Sequence, residues 1–184
     1  ALNDIQNLNI IRYDLSGDVQ YIATKEGFLF ESKNNEPRLV LDLNTNAQFP
    51  FSTEHYGGLL GIAAQNNLVY VSYTSQDING LYSLVVDEYS MNFSKVRNII
   101  KVEGFLDYHH YAGDLIFDQS GQLYLSVGDG VPSENYDELA LPTSPNLNNY
   151  LGKILRLDVS KLKLEPEIIA YGIRNPWGVT IDSK

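Results

Sequence analysis

The sequence predicts an all-β fold, a β-propeller of four-stranded antiparallel blades, of which the chain supplies about three. Three observations carry this. Strand formers dominate, with 13 Tyr and 7 Phe among 184 residues, in short runs bounded by Gly, Asn, Asp and Ser. No stretch repeats with the 3.6-residue period of a long amphipathic helix. A polar turn followed by a strand with a central aromatic occurs three times, at Tyr21, Tyr70 and Tyr124, spaced 49 and 54 residues apart. Repeats of that length with several short strands each are the pattern of propeller blades.

The strands fall into groups of four. Residues 8–14, 19–24, 27–32 and 38–43 form a first unit. Residues 59–64, 68–73, 81–86 and 93–102 form a second, with its middle hairpin turning near Asn79-Gly80, a favoured hairpin pair. Residues 113–118, 122–127, 153–158 and 167–171 form a third. The runs 59–64 and 113–118 are nearly continuously apolar, which suits inner strands buried on both faces. Val179-Thr180-Ile181-Asp182 then repeats the approach to the next turn made earlier by Leu115-Ile116-Phe117-Asp118.

Three blades do not close a ring, since propellers need roughly four to eight. The expectation is one partial propeller domain over 1–184, with blades at about 8–43, 59–102 and 113–171 and the start of another at 178–184. The rest of the ring would come from further residues or a second chain. A complete three-unit sandwich is the lesser alternative.

Thirteen Lys and Arg against 23 Asp and Glu leave a net charge of −10. That charge repels phosphate backbones and argues against sequence-independent nucleic-acid binding. No apolar run approaches the roughly 20 residues of a membrane-spanning helix, and Ala1 is not followed by a basic-then-apolar leader. Cysteine is absent, which removes disulfides, thiolate nucleophiles and sulfur-ligated metal sites. Asn92-Phe93-Ser94 matches a glycosylation acceptor, a triplet common by chance.

Propeller chemistry sits on loops at the channel mouth. The loop 104–113 holds His109 and His110, and histidine is the usual general base near neutral pH. The loop 171–178 presents Arg174, a fixed positive fork, and Asn175, both donor and acceptor. The loop 128–138 carries four carboxylates, chemistry suited to Ca²⁺. Its spacing does not match an EF-hand, and it reads as a solvated acidic loop.

Four blocks resemble the soluble quinoprotein sugar dehydrogenase family, which includes the hedgehog-interacting-protein-like propellers. They are Gly57-Gly58-Leu59-Leu60-Gly61-Ile62-Ala63, then His110-Tyr111-Ala112-Gly113-Asp114-Leu115 leading to Leu123-Tyr124-Leu125-Ser126-Val127-Gly128-Asp129-Gly130. Next come Asn146-Leu147-Asn148-Asn149-Tyr150-Leu151-Gly152-Lys153-Ile154-Leu155-Arg156-Leu157-Asp158 and finally Gly172-Ile173-Arg174-Asn175-Pro176-Trp177-Gly178. The resemblance spans about 57–178 and implies a six-bladed propeller, of which this chain is roughly the first half.

The resemblance further implies oxidation of an aldose or similar small alcohol by pyrroloquinoline quinone, assisted by Ca²⁺, in an extracellular or periplasmic setting. By position His110 matches the catalytic base. Arg174 matches the support for the quinone oxygens, and Asn175 a neighbouring cofactor contact. Tyr56 stands where active relatives often carry Gln or Glu that helps hold substrate or quinone, and is expected to face the same cavity. His109, acidic in some members, is expected to point away. No residue is assigned to a metal. A non-catalytic propeller that binds protein or carbohydrate is the alternative function.

Overall fold

A computed structural model describes residues 10–16, 19–34, 36–106, 109–131 and 144–182. Among the described residues twelve strands form three four-stranded antiparallel sheets. The first holds β1 (Ile10–Ser16), β2 (Val19–Thr24), β3 (Phe28–Lys33) and β4 (Glu36–Asp42). A single helical turn, α1 (Leu43–Asn46), follows. The second sheet holds β5 (Leu59–Gln65), β6 (Leu68–Gln76), β7 (Tyr82–Ser90) and β8 (Lys95–Phe105). The third holds β9 (Ala112–Phe117), β10 (Leu123–Val127), β11 (Lys153–Leu157) and β12 (Glu167–Tyr171). Within each sheet the strands lie in chain order. This is the all-β, blade-by-blade architecture that the strand grouping anticipates.

The first strands of successive sheets pack side by side, β1 on β5 and β5 on β9. They are therefore the inner strands, and the first five residues of β5 are buried. Two apolar layers fill the seams. Tyr21, Leu29, Leu59, Val71 and Tyr73 lie between the first and second sheets, whereas Leu84, Tyr111, Leu123, Leu125 and Leu155 lie between the second and third. Each fully buried Leu or Val contributes about 1.5–3 kcal/mol.

Local chemistry moves several strand ends. The sequence pattern runs the fourth strand through Leu43. It stops at Asp42 because that side chain accepts from the Asn44 N–H and caps α1. The pattern starts the eighth at Phe93, and it begins instead at Lys95. Phe93 has φ +59°, and the Asn92 side chain accepts from the Ser94 N–H, so these residues make a turn. The first strand begins at Ile10, while Leu8 and Asn9 lie outside the described residues. Residues 178–182 form no strand ladder, although the Val179 N–H donates to Asp114 Oδ2 at 2.8 Å on the inner strand β9. Ser183 and Lys184 lie outside the described residues. No helix among the described residues is long and apolar enough to cross a membrane.

Candidate active site

The site grows out of a strand register. β9 and β10 pair antiparallel with Ala112 opposite Val127. Carried two residues past each strand end, that register sets His110 opposite Asp129, and there the side chains meet. His110 Nδ1 lies 2.8 Å from Asp129 Oδ1, with the carboxylate fully buried and the imidazole nearly so. A carboxylate only accepts, so Nδ1 carries the ring proton and Nε2 is left as the acceptor. The Val131 N–H donates to the same Asp129 oxygen at 3.1 Å and fixes the carboxylate.

The loop before β9 is held in a demanding conformation. His110 and Ala112 have φ of +53° and +58°, a region that costs non-glycine residues about 1–3 kcal/mol each. Between them Tyr111 is buried, its ring 4.9 Å from that of Phe105 and 6.2 Å from that of Tyr82. This aromatic peg offsets the strain and presents His110 rigidly.

Arg174 reaches the same place by backbone bonding. The Gly152 N–H donates to Gly128 O at 2.9 Å, Ile173 N–H to Gly152 O at 3.1 Å, and Asp129 N–H to Arg174 O at 2.8 Å. Arg174 is thus tied to the residue that holds His110, while its side chain is exposed. Asn175 follows, its Oδ1 buried without a hydrogen-bond partner, as is Asp129 Oδ2. Gly128 packs against this turn. A Cβ there would lie 3.2 Å from Asn175 Oδ1 and would overlap the His110 carbonyl, so only glycine fits.

Tyr56 precedes β5 and is half exposed. With Lys25, Leu60 and Trp177 it lines a pocket of about 190 Å³, so the loops before β5 and after β12 face one another across it. His109 does not point away, contrary to the expectation. Its ring lies 5.2 Å from that of Tyr56 and 6.2 Å from that of His110, making a run of three rings. Of the acidic loop read as solvated, one carboxylate departs from that reading. Asp129 is buried and bonded, and Glu134, Asp137 and Glu138 lie outside the described residues.

Sequence reasoning does not pair Asp129 with His110. The signal is present in the hairpin of 113–118 with 122–127, which sets the residues flanking its open end opposite each other.

Residues 25–184 match the family model described as glucose / sorbosone dehydrogenase, and the chain belongs to that family. It is similar to the aldose sugar dehydrogenase of Escherichia coli K12, at 28% identity over 68% of this chain and 38% of that protein. It is also similar to the Hedgehog-interacting protein of Mus musculus, at 25% identity over 88% of this chain and 27% of that protein. The crystal structure of the soluble E. coli aldose sugar dehydrogenase in its apo-form superposes with a TM-score of 0.68. The identity there is 23%, covering 96% of this chain and 57% of the other, and it speaks for the fold. The chain therefore spans well under two thirds of the length of these relatives.

The groups present suit a planar, polyanionic quinone. Arg174 offers an exposed guanidinium, and Asn175 an amide whose buried Oδ1 has no hydrogen-bond partner. Among the described residues no group of three or more His, Asp or Glu is placed to hold a metal ion, so no calcium site is assigned.

Proposed function

We propose that this chain is part of a quinone-dependent dehydrogenase that oxidises a hydroxyl of an aldose or related small alcohol. The observation that carries the reading is the His110–Asp129 pair, a histidine oriented by a buried carboxylate beside the turn that bears Arg174. When bound, pyrroloquinoline quinone, with Ca²⁺ beside it, would supply the hydride-accepting centre. Nε2 of His110 would take the hydroxyl proton, and Asp129 would hold the ring in the tautomer that leaves Nε2 open. Arg174 would hold the quinone oxygens by charge, Asn175 by its amide, and Tyr56 would close the opposite side. An extracellular or periplasmic setting accompanies this reading, as does completion of the ring by further residues or a second chain. The domain limits 1–184 belong to the same proposal.

The test is reconstitution of the full-length protein with pyrroloquinoline quinone and Ca²⁺, following dye reduction with aldoses. Aldose-dependent reduction that disappears in His110→Ala supports the proposal. Neither quinone binding nor reduction overturns it.

One observation favours a second reading, a binding propeller without catalysis. By the resemblance Tyr56 stands where active relatives often carry Gln or Glu, and its ring packs on His109. The similarity to a protein named for its interaction with Hedgehog adds to this. Failed quinone binding together with saturable capture of a protein or glycan ligand would select it.

A further inference from the structure

We propose that Lys153 is a positioning residue, its buried ammonium holding Ser144 so that the turn bearing Arg174 stays in register with Asp129. Lys153 opens β11 between Val127 of β10 and Tyr171 of β12, the strands that lead to Asp129 and Arg174. It is fully buried. Its Nζ donates to Ser144 O at 2.7 Å and to Leu151 O at 2.5 Å. Ser144 O also accepts the Gly172 N–H at 3.0 Å, and Ser144 Oγ donates to Ile173 O at 2.9 Å. The next bonds along the chain are Ile173 N–H to Gly152 O and Asp129 N–H to Arg174 O. A short relay of hydrogen bonds thus leads from Lys153 to the carboxylate partner of His110.

Burying a cation is expensive, and lysine is rarely fully buried without partners. A methionine would fill similar volume without that desolvation. What the ammonium adds is several donors at one point, which draw together carbonyls from two separate segments. Burial also lowers the Lys153 pKa, in keeping with an ammonium taken out of water. The inference rests on the proposed reading of Arg174 and His110 as site residues, but its mechanical part is independent of any cofactor.

The experiment compares residue-resolved amide hydrogen exchange in the full-length wild type, Lys153→Met and Lys153→Gln. In Lys153→Met the amides of Gly172, Ile173 and Asp129 should exchange about tenfold or more faster, while Val85 and Val86 of β7 keep their rates. Lys153→Gln, which retains an N–H donor group, should restore part of the protection. Unchanged exchange at 172, 173 and 129 overturns the proposal. So does equal acceleration in all three sheets, which would mark a general stability role. If Lys153→Met does not fold, Lys153→Gln against wild type decides: faster exchange confined to 172, 173 and 129 supports the role, and unchanged or uniformly faster exchange overturns it. Affinity for pyrroloquinoline quinone is measured beside it. A wild type that binds none defeats the proposed function, while the exchange pattern still decides the role of Lys153.

Discussion

His110 and Arg174, 64 residues apart in sequence, are joined through one residue: Asp129 accepts from the His110 ring and donates its backbone N–H to the Arg174 carbonyl. Asp129→Ala releases the ring and leaves Arg174 in place. Turnover with aldose and quinone should fall about 10³-fold with little change in quinone affinity. Asp129→Asn should fall between, since an amide oxygen still accepts from Nδ1 but carries no charge. Steady-state dye reduction and quinone titration together check this, and equal losses in both quantities would contradict it.

Arg174→Ala should behave differently, weakening quinone binding as well as turnover. Loss of a charge-assisted contact of this kind costs about 1.5–3 kcal/mol, roughly ten- to a hundredfold in Kd. Fluorescence titration of the apo protein with quinone measures it.

The seam between the second and third sheets predicts a steric result. Gly113 has φ +94°, and a Cβ there would lie 2.6 Å from Leu60 Cβ. Gly113→Ala should destabilise the protein by about 3 kcal/mol, from overpacking and strain together. Gly172 has φ +77°, and an added methyl would meet nothing within 4 Å. Gly172→Ala should therefore cost about 1 kcal/mol, from strain alone. Urea unfolding of the pair separates the two effects.

Three buried tyrosines set an alkaline limit. Burial, reinforced by the Asp87 charge at Tyr73 and Tyr89 and by Glu88 at Tyr70, pushes their phenols well above the ordinary value of 10.0. The folded state then keeps protons that the unfolded chain releases. Stability is full below pH ~10 and falls as pH rises beyond it. Lys153 runs the other way, its pKa lowered by burial, so its desolvation cost eases as pH climbs toward 10.5. Three phenols outweigh one ammonium, and the net slope should be downward. A fraction of the tyrosinate absorbance that appears only together with unfolding, and that is lost in Tyr73→Phe and Tyr89→Phe, would show it, whereas titration of these three phenols in a folded protein would contradict it.

Arg97 ties the outer strand of the second sheet to the third. It bonds Glu88 Oε2 through Nη2 at 2.9 Å, and it donates to Lys161 O at 2.7 Å and to Val159 O. Glu88 is buried. Arg97→Met should cost about 3–5 kcal/mol because it leaves that buried carboxylate without its counter-charge, and adding Glu88→Leu should recover much of the loss. A double-mutant cycle by denaturant unfolding measures the coupling.

Blade grouping, the inner strands and the candidate residues His110, Arg174 and Asn175 are legible because they rest on local patterns: alternation, turn residues and short motifs. Strand ends are less so, since they depend on single contacts such as the Asp42 cap and the left-handed Phe93. The inward turn of His109 and the burial of Lys153 belong to the tertiary structure alone, and the partnership of Asp129 with His110 needs the exact register of one hairpin. Charged and polar residues have no hydrophobic periodicity to betray their partners. Asp129 reads as one carboxylate among several until the β9–β10 register sets it across from His110. Lys153 reads only as the first residue of a strand until sheet pairing encloses it and two carbonyls converge on its ammonium. Sequence alone determined which segments become strands and how they group. Which side chains face one another across the loops was decided by how the strands pair and the sheets pack, because hydrogen bonds of about 3 Å depend on register to the single residue.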